Sequence, residues 1–432
     1  MKPVLQLALD FVDLHRALGV AREAVRGGVD WLEVGTPLLK AEGLEAVRKL
    51  RDEFPNATIV CDTKTMDAGR VEMESAAKAG AHVATVLGAA PDATIRECIE
   101  AGRNYGIRIA VDLVNVPDPA ARAQQAAEWG ASLLGVHCPI DQQMEGKDPF
   151  DALRAVVAAV DLPVSVAGGI NSETAGLAVQ AGAAVVVVGG ALTKAEDAEE
   201  AARCIKRVMD TGRAESTVLF KRGGADSIRE LLALPSVPNV SDGYHHMPVL
   251  TGMTAVVPGV HMVGRAFTVR AYPGDWAKPV EAIDQAEPGD VIVIDAGGVP
   301  PALWGELATH SAVQRKLAGV VIHGAIRDTP VIRELGFCAF ARHVSARAGE
   351  PRGLGEIGVP IEIDGIPVAT GDWIVGDDDG VAVVPQAWAV EIANRAVERM
   401  EMENRVRKEI QDGSTLAKVA DLYKWEKRLG SG

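Results

Sequence analysis

Within six positions the chain sets Asp62, Lys64 and Asp67 in the string DTKTMD, directly after the apolar run TIVC. Charged groups crowded at the end of an apolar strand are costly unless they bind something. Alternation along an extended strand end puts Asp62 and Lys64 on one side, where the ammonium offsets the carboxylate. Glu33 ends a neighbouring run, DWLEVG, and with Asp62 could share a hard cation such as Mg²⁺ (or Mn²⁺) through oxygen ligands. His137, closing LLGVH, could exchange protons with a substrate near neutral pH. Two glycine pairs, Gly168–Gly169 in AGGI and Gly189–Gly190 in VGGAL, can let backbone N–H groups approach a phosphate. Each feature has a plainer alternative: a solvated loop with a surface ion pair, a structural histidine, ordinary turn glycines.

These residues need elements to position them. Eight short apolar runs end at Asp10, Gly35, Asp62, Leu87, Asp112, His137, Gly169 and Gly190, separated by about 20 to 30 residues, the length of one strand plus one helix. Amphipathic segments such as AEGLEAVRKLRDEF lie between them, and glycine turns such as AGAHV and WGASL stop the helices. The pattern predicts a (β/α)₈ barrel, with a doubly wound sheet as the alternative. What favours the barrel is that Asp10, Glu33, Asp62, Lys64, Asp67, Asp112 and His137 all fall at or just past strand C-terminal ends, the face on which barrel sites are built. One acid there is usually a helix cap; several from different strands are harder to explain so.

Composition narrows the partners. A chain of 432 residues suggests two domains, and 48% hydrophobic with 4% aromatic residues suits α/β folds. A formal net charge of −15 argues against a nucleic-acid backbone as ligand, while leaving room for a locally positive pocket for small anions. Five cysteines stand singly with no CxxC pair, so neither a zinc pattern nor a disulfide framework is expected, and the reducing cytoplasm is the expected setting. Asp10 and Asp13 interrupt the first apolar stretch, which argues against a signal peptide, and nothing later is long enough to span a membrane.

The segments ALD at 8–10, EVGTPL at 33–38, DTKTMDAG at 62–69, GVH at 135–137, VAGGI at 166–170 and VGGALTKA at 188–195 together resemble the 3-hexulose-6-phosphate synthases, within the orotidine-phosphate decarboxylase-like barrels. The likeness covers residues 1–210. It implies Mg²⁺ on Glu33 and Asp62, substrate oxygens contacted by Asp10 and Lys64, Asp67 reaching into a neighbouring subunit's site, His137 as acid or base, and phosphate on the Gly169 and Gly190 amides. The implied reaction is reversible aldol addition of formaldehyde to ribulose 5-phosphate. The related 3-keto-gulonate-phosphate decarboxylases carry an arginine shortly after the histidine and another after the phosphate-loop glycine. Here those regions read HCPID and GGAL, which favours the synthase and leaves the decarboxylase as the alternative, although HCPID also departs from the usual synthase stretch.

In the second half, VIVIDAGG at 291–298 and GVVIHGAI at 319–326 read as strands, followed by hairpin-like runs through IEIDGIPVATGDWIVGDDDGVAVVP. Alternating strands with Gly and Asp turns predict an α/β domain of the β/β/α sandwich type rather than a second barrel. Asp377–Asp378–Asp379–Gly380 is expected to be a hairpin turn rather than a metal site. GDVIVIDAGG, WGEL at 304–307 and GAIRD at 324–328 resemble the ribonuclease E regulator-like family, which includes class II 4-hydroxy-4-methyl-2-oxoglutarate aldolases and oxaloacetate decarboxylases. The resemblance covers about residues 220–390. It implies that Arg327 grips a 2-oxo acid carboxylate, that Asp328 anchors a metal, and that backbone amides of the 304–307 loop, at Gly305 and Leu307, bind the pyruvate end, with Asp295 and Glu306 as lesser candidates. A non-catalytic regulatory or oligomerising module is the alternative for this half.

The expected organisation is a barrel over 1–212, a linker over 213–222, the second domain over 223–390, and a charge-laced helix and tail over 391–432. By resemblance the barrels pair as dimers and the second domains as trimers, which together would make a hexamer. The expected partners are a sugar phosphate, formaldehyde and a 2-oxo acid, with no nucleic acid and no membrane.

Overall fold

The computed structural model describes residues 2–422; the last ten residues of the expected tail lie outside the described residues. The chain divides into two compact units. The first holds residues up to Gln143, Lys147–Arg222 and the chain from Glu401, and the second holds Met144–Gly146 and Gly223–Met400.

The first unit is a closed barrel of eight parallel strands in sequence order: β1 (Val4–Leu9), β2 (Trp31–Val34), β3 (Thr58–Thr65), β4 (Val83–Leu87), β5 (Arg108–Asp112), β6 (Leu133–His137), β7 (Val164–Ala167) and β8 (Val185–Val188). Side chains alternate in and out along each strand. Leu5, Leu7, Leu9, Leu32, Val34, Ile59 and Cys61 pack outward against the helices. Ala8, Val60, Val83, Ala110, Leu133, Val185 and Val187 fill the barrel's interior. Helices are started and stopped locally: Asp13 caps Leu14–Arg26 by accepting from the Arg16 amide, and the helix Pro119–Trp129 ends on Gly130 at φ 93°.

Residues 213–222, expected to be a linker, form neither helix nor strand but are held to the barrel. The Glu215 amide donates to the Ser172 carbonyl (3.1 Å), the Glu215 carboxylate pairs with Arg207 (2.6 Å), and the Phe220 carbonyl accepts from Asn171 (2.9 Å). The final helix, Ala389–Gln411, is the expected charge-laced helix, and its end is packed rather than solvated. From Glu401 onward it belongs to the barrel unit, where Arg405 is buried and binds Glu23 (2.9 and 3.0 Å) and the carbonyls of Ala195 (3.1 Å) and Glu196 (3.4 Å).

The second unit is built on a ten-stranded mixed sheet formed by β9 (Val249–Leu250), β10 (Thr254–Ala255), β11 (Met262–Ala271), β12 (Asp290–Asp295), β13 (Ala302–Trp304), β14 (Gly319–Ile326), β15 (Ala339–Val344), β16 (Gly355–Ile357), β19 (Trp373–Asp377) and β20 (Gly380–Val384); β17 (Ile361–Ile363) and β18 (Ile366–Val368) pair separately. Strands β11, β12, β14 and β15 run parallel, and the central β12 and β14 are largely apolar on both faces. Ile292 and Ile294 face the helix-covered core, while Val291 and Val293 face the β17–β18 hairpin, as buried parallel strands require. This is the expected β/β/α layering. Asp377–Gly380 is the β19–β20 turn, with the Asp379 amide donating to Asp377 (2.9 Å). Among the described residues no helix is long and apolar enough to cross a membrane.

Candidate active site

Strand parity decides which side chains enter the barrel mouth. Ala8, Val60, Ala110 and Leu133 point inward, so Asp10, Asp62, Asp112 and, one further pair on, His137 continue the inner rows at the C-terminal ends. Glu33 follows the inward Trp31 in the same way.

Asp62 is buried and fully engaged. The Thr85 hydroxyl donates to Oδ1 (2.8 Å), the Thr36 hydroxyl lies 2.7 Å from Oδ2, and the Lys64 ammonium lies 2.8 Å from Oδ2. Lys64 also reaches Asp112 (3.2 Å). Asp62 and Lys64 therefore meet as expected, but not by simple strand alternation. Lys64 has φ 44°, and β3 shifts register against β4 between Cys61 and Thr65. This bulge, pinned by the Lys64 amide donating to the Thr85 hydroxyl (3.0 Å), re-aims the lysine.

The electrostatics are those of crowded acids around one cation. Burial and the Asp62 charge push the Asp10 carboxyl up, against the pull of Lys64, His137 and Lys194. Burial, Asp62 and Asp10 push Glu33 well above its ordinary value, although Lys64 and a hydrogen bond from Gln6 oppose them. Burial alone would lower Lys64, and Asp62 and Asp112 more than reverse it. Burial would raise Asp112, but His137, Lys64 and the Val114 amide hold it below the usual range. His137 Nδ1 lies 3.6 Å from Asp112.

Among the described residues no group of three or more His, Cys, Asp or Glu side chains stands in metal-holding geometry. Two carboxylates with water and substrate oxygens nevertheless form a set that Mg²⁺ accepts. Glu33, destabilised as an anion by Asp62 and Asp10, is where a divalent charge would give relief. The donor chemistry therefore suits a hard cation.

At the opposite rim, Gly168 and Gly169 have φ 101° and 72°, and a β-carbon on Gly168 would stand 2.4 Å from the Cys138 carbonyl. Gly189 and Gly190 open the short turn Gly190–Thr193. A β-carbon on Gly189 would lie 3.6 Å from Asp10 Oδ2, so this turn abuts Asp10. Asp67 stands apart: it is exposed, and its carboxylate accepts from the Ala68 amide (2.7 Å).

In the second unit the Trp304 carbonyl accepts from the Arg327 amide (3.0 Å), which draws the 304–307 loop to the end of β14. Asp328, at φ 58°, opens the helix Thr329–Leu335. Its Oδ2 accepts from the Glu306 amide (3.2 Å) and lies 3.4 Å from Arg327 Nε. A β-carbon on Gly305 would come within 2.4 Å of that oxygen, so the loop closes only because residue 305 has no side chain. Gly305, Glu306, Arg327 and Asp328 are thus brought together, whereas the Leu307 side chain is exposed. Asp295 enters a different cluster, with His323 Nδ1 at 2.7 Å and Arg342 meeting His323 Nε2 at 2.8 Å.

Residues 3–205 match the orotidine 5′-phosphate decarboxylase / HUMPS family, and residues 237–383 match the RraA-like family, described as Aldolase/RraA. The first half is 44% identical over 198 residues to the 3-hexulose-6-phosphate synthase of Methylomonas aminofaciens, covering 46% of this chain and 94% of that one. The chain belongs to the orotidine 5′-phosphate decarboxylase / HUMPS family. The 3-hexulose-6-phosphate synthase of Bacillus subtilis (strain 168) is 38% identical over 209 residues, 48% of this chain and 99% of that one. The crystal structure of the Salmonella typhimurium 3-hexulose-6-phosphate synthase shares 38% identity over 49% of this chain and all of that chain, with a TM-score of 0.47. To this HUMPS-family barrel the chain adds its RraA-like second half.

Several residues of the HUMPS-family site escape sequence reasoning. Thr36 and Thr85 hold Asp62, Gln6 holds Glu33, and Lys194 acts on Asp10. Gln6 had a signal, lying on the inward row of β1 two residues before Ala8. The two threonines had none, because a hydroxyl that donates to a carboxylate carries no diagnostic spacing.

Proposed function

We propose that the barrel is a 3-hexulose-6-phosphate synthase that joins formaldehyde to ribulose 5-phosphate reversibly. The observation that carries this reading is the Lys64 ammonium held between Asp62 and Asp112, with the Glu33 and Asp10 carboxylates at the same barrel mouth. The relatives of that name, matched over 94% and 99% of their length, support it. Glu33 and Asp62 would hold Mg²⁺, which when bound supplies Lewis-acid polarisation of substrate oxygens.

The chain's own groups do the rest. Amides at Gly168–Gly169 and Gly189–Gly190 take the phosphate and fix the ketose's reach across the barrel. His137 Nε2, with Nδ1 toward Asp112, takes the proton from C1 of the ketose, and the C–H electron pair moves to form an enediolate. Lys64 places a fixed positive charge beside that developing anion. C1 then bonds to the formaldehyde carbon, and the formaldehyde oxygen receives the proton from His137. Asp10 contacts substrate oxygens in this reading, and exposed Asp67 serves the site of a neighbouring subunit.

For the RraA-like half we propose a 2-oxo-acid site in which Arg327 grips the carboxylate, Asp328 anchors the metal, and the Gly305 and Leu307 amides meet the pyruvate end. Metal-dependent release of pyruvate from oxaloacetate, lost in Arg327→Ala, is the expected result. An inert but folded protein would instead indicate a binding module.

The deciding experiment on the barrel is formaldehyde consumption with ribulose 5-phosphate and Mg²⁺. We expect turnover that chelation abolishes and that Asp62→Ala reduces by at least about a hundredfold. A folded, metal-loaded protein without turnover sinks this reading and turns attention to keto-gulonate phosphate.

A further inference from the structure

Asp10, Glu33, Asp62 and Asp112 converge on the barrel mouth, and Lys64 answers two of them directly, Asp62 at 2.8 Å and Asp112 at 3.2 Å. A phosphate dianion at the glycine turns would then face Asp10, which abuts the Gly189 turn. Glycine amides offer only partial charges to a dianion, and a nearby carboxylate repels it. The phosphate side therefore calls for a full positive charge of its own. Neither GGI after β7 nor GGAL after β8 contains one.

Lys194 stands where that charge is needed. Its amide closes the turn by donating to the Gly190 carbonyl (3.0 Å), and its side chain runs back over the same turn. The ammonium nitrogen lies 3.7 Å from the position of a β-carbon on Gly190, with Cδ and Cε each at 3.8 Å. Lys194 is one of the cations that act on Asp10, and it rises from the turn itself. The backbone just beyond it is held firmly, because Arg405 binds the carbonyls of Ala195 and Glu196.

We propose that Lys194 is a substrate-binding residue whose ammonium grips the phosphate of the sugar phosphate over the Gly189–Gly190 turn. The absence of a side chain at Gly190 leaves the lysine and the phosphate room to meet. The proposal rests on the synthase reading only for the identity of the phosphate ester. It gives the barrel a cation reached from four residues along the turn, rather than one carried at the glycine position.

The test uses the full chain with Lys194→Met and Lys194→Arg. Two quantities are read: the affinity for inorganic phosphate by calorimetry, and KM and kcat with ribulose 5-phosphate and formaldehyde. Lys194→Met is expected to weaken phosphate binding and raise KM about tenfold or more, with a smaller change in kcat. Lys194→Arg is expected to stay within about threefold of the parent. Unchanged phosphate affinity in Lys194→Met overturns the assignment. So does an equal loss in both variants, which would point to packing rather than charge. If the parent consumes no formaldehyde yet loses phosphate affinity in Lys194→Met alone, the synthase reading falls and the Lys194 assignment stands.

Discussion

Gly35 contributes no side chain, yet the position of Asp10 depends on it. A β-carbon there would stand 2.1 Å from Asp10 Oδ1 and 2.9 Å from the Leu9 carbonyl. Its φ of −61° suits any residue, so the demand is for space and not for backbone freedom. Gly35→Ala must push the Asp10 carboxylate out of the mouth or move β1. We expect formaldehyde fixation to fall at least about tenfold, with a stability loss of roughly 1–3 kcal/mol from overpacking, read by activity assay and urea titration. Full activity would show that Asp10 can move without consequence. The acids themselves were legible in the sequence because strand ends and inward parity are periodic properties. Their partners were not: Thr36 and Thr85 reach Asp62 across 26 and 23 residues, and the bulge at Lys64 depends on cross-strand register that no local pattern encodes.

Elements are legible in the sequence where periodicity is strong, and a distant contact leaves no local pattern. All eight barrel strands were visible as apolar runs. The helix Ala389–Gln411 reads as an amphipathic, charge-laced element that packing or solvation would explain equally well, and its partner is not legible because Arg405 finds Glu23 382 residues away. Arg405→Met would leave the Glu23 carboxylate, which also accepts from the Ala198 amide (3.2 Å), without its buried counter-charge. Breaking one side of a buried pair costs about 3–5 kcal/mol. We expect a loss of that order in urea unfolding, and a raised KM for ribulose 5-phosphate because the chain after the β8 turn is released. A loss below about 1 kcal/mol, as for surface pairs, would show that the helix end is not needed to hold the barrel. In the second unit, Asp275 is buried and accepts from the amides of Ala277, Arg352, Gly353 and Leu354. Burial would raise its carboxyl, and these four donors hold it below the ordinary 3.8. A depressed acid stabilises the fold above its unfolded pKa, and that contribution drains away as pH falls through the folded value. Asp275→Asn is therefore expected to cost about 1–3 kcal/mol at pH 7 and to flatten the loss of stability below about pH 4. Unfolding curves between pH 7 and 3 check both, and an unchanged acid slope would count against the role of the charge.

The division into two halves was legible because each half carries its own pattern, parallel runs at regular spacing in one and hairpin turns in the other. What the whole chain assembles into depends on surfaces the described residues leave apolar and open. On the barrel, Met66 and Val71 are 50% and 64% exposed, on either side of exposed Asp67. On the RraA-like unit, Leu307 and Val344 are 76% and 68% exposed. These side chains are the places to test the contacts that the resemblance implies. If the barrels pair about a two-fold axis and the RraA-like units group about a three-fold, closure requires six chains. At 45.4 kDa per chain, native mass spectrometry should then report about 272 kDa. The two contacts can be broken separately. Met66→Glu with Val71→Glu should leave trimers near about 136 kDa, and Leu307→Glu with Val344→Glu should leave dimers near about 91 kDa. Activity discriminates further. If Asp67 serves a neighbouring barrel, formaldehyde fixation should collapse in the trimers and persist in the dimers. A monomeric parent would remove the basis for both halves of this expectation, while fully active trimers would confine each barrel site to one chain and leave Asp67 only its contact with the Ala68 amide.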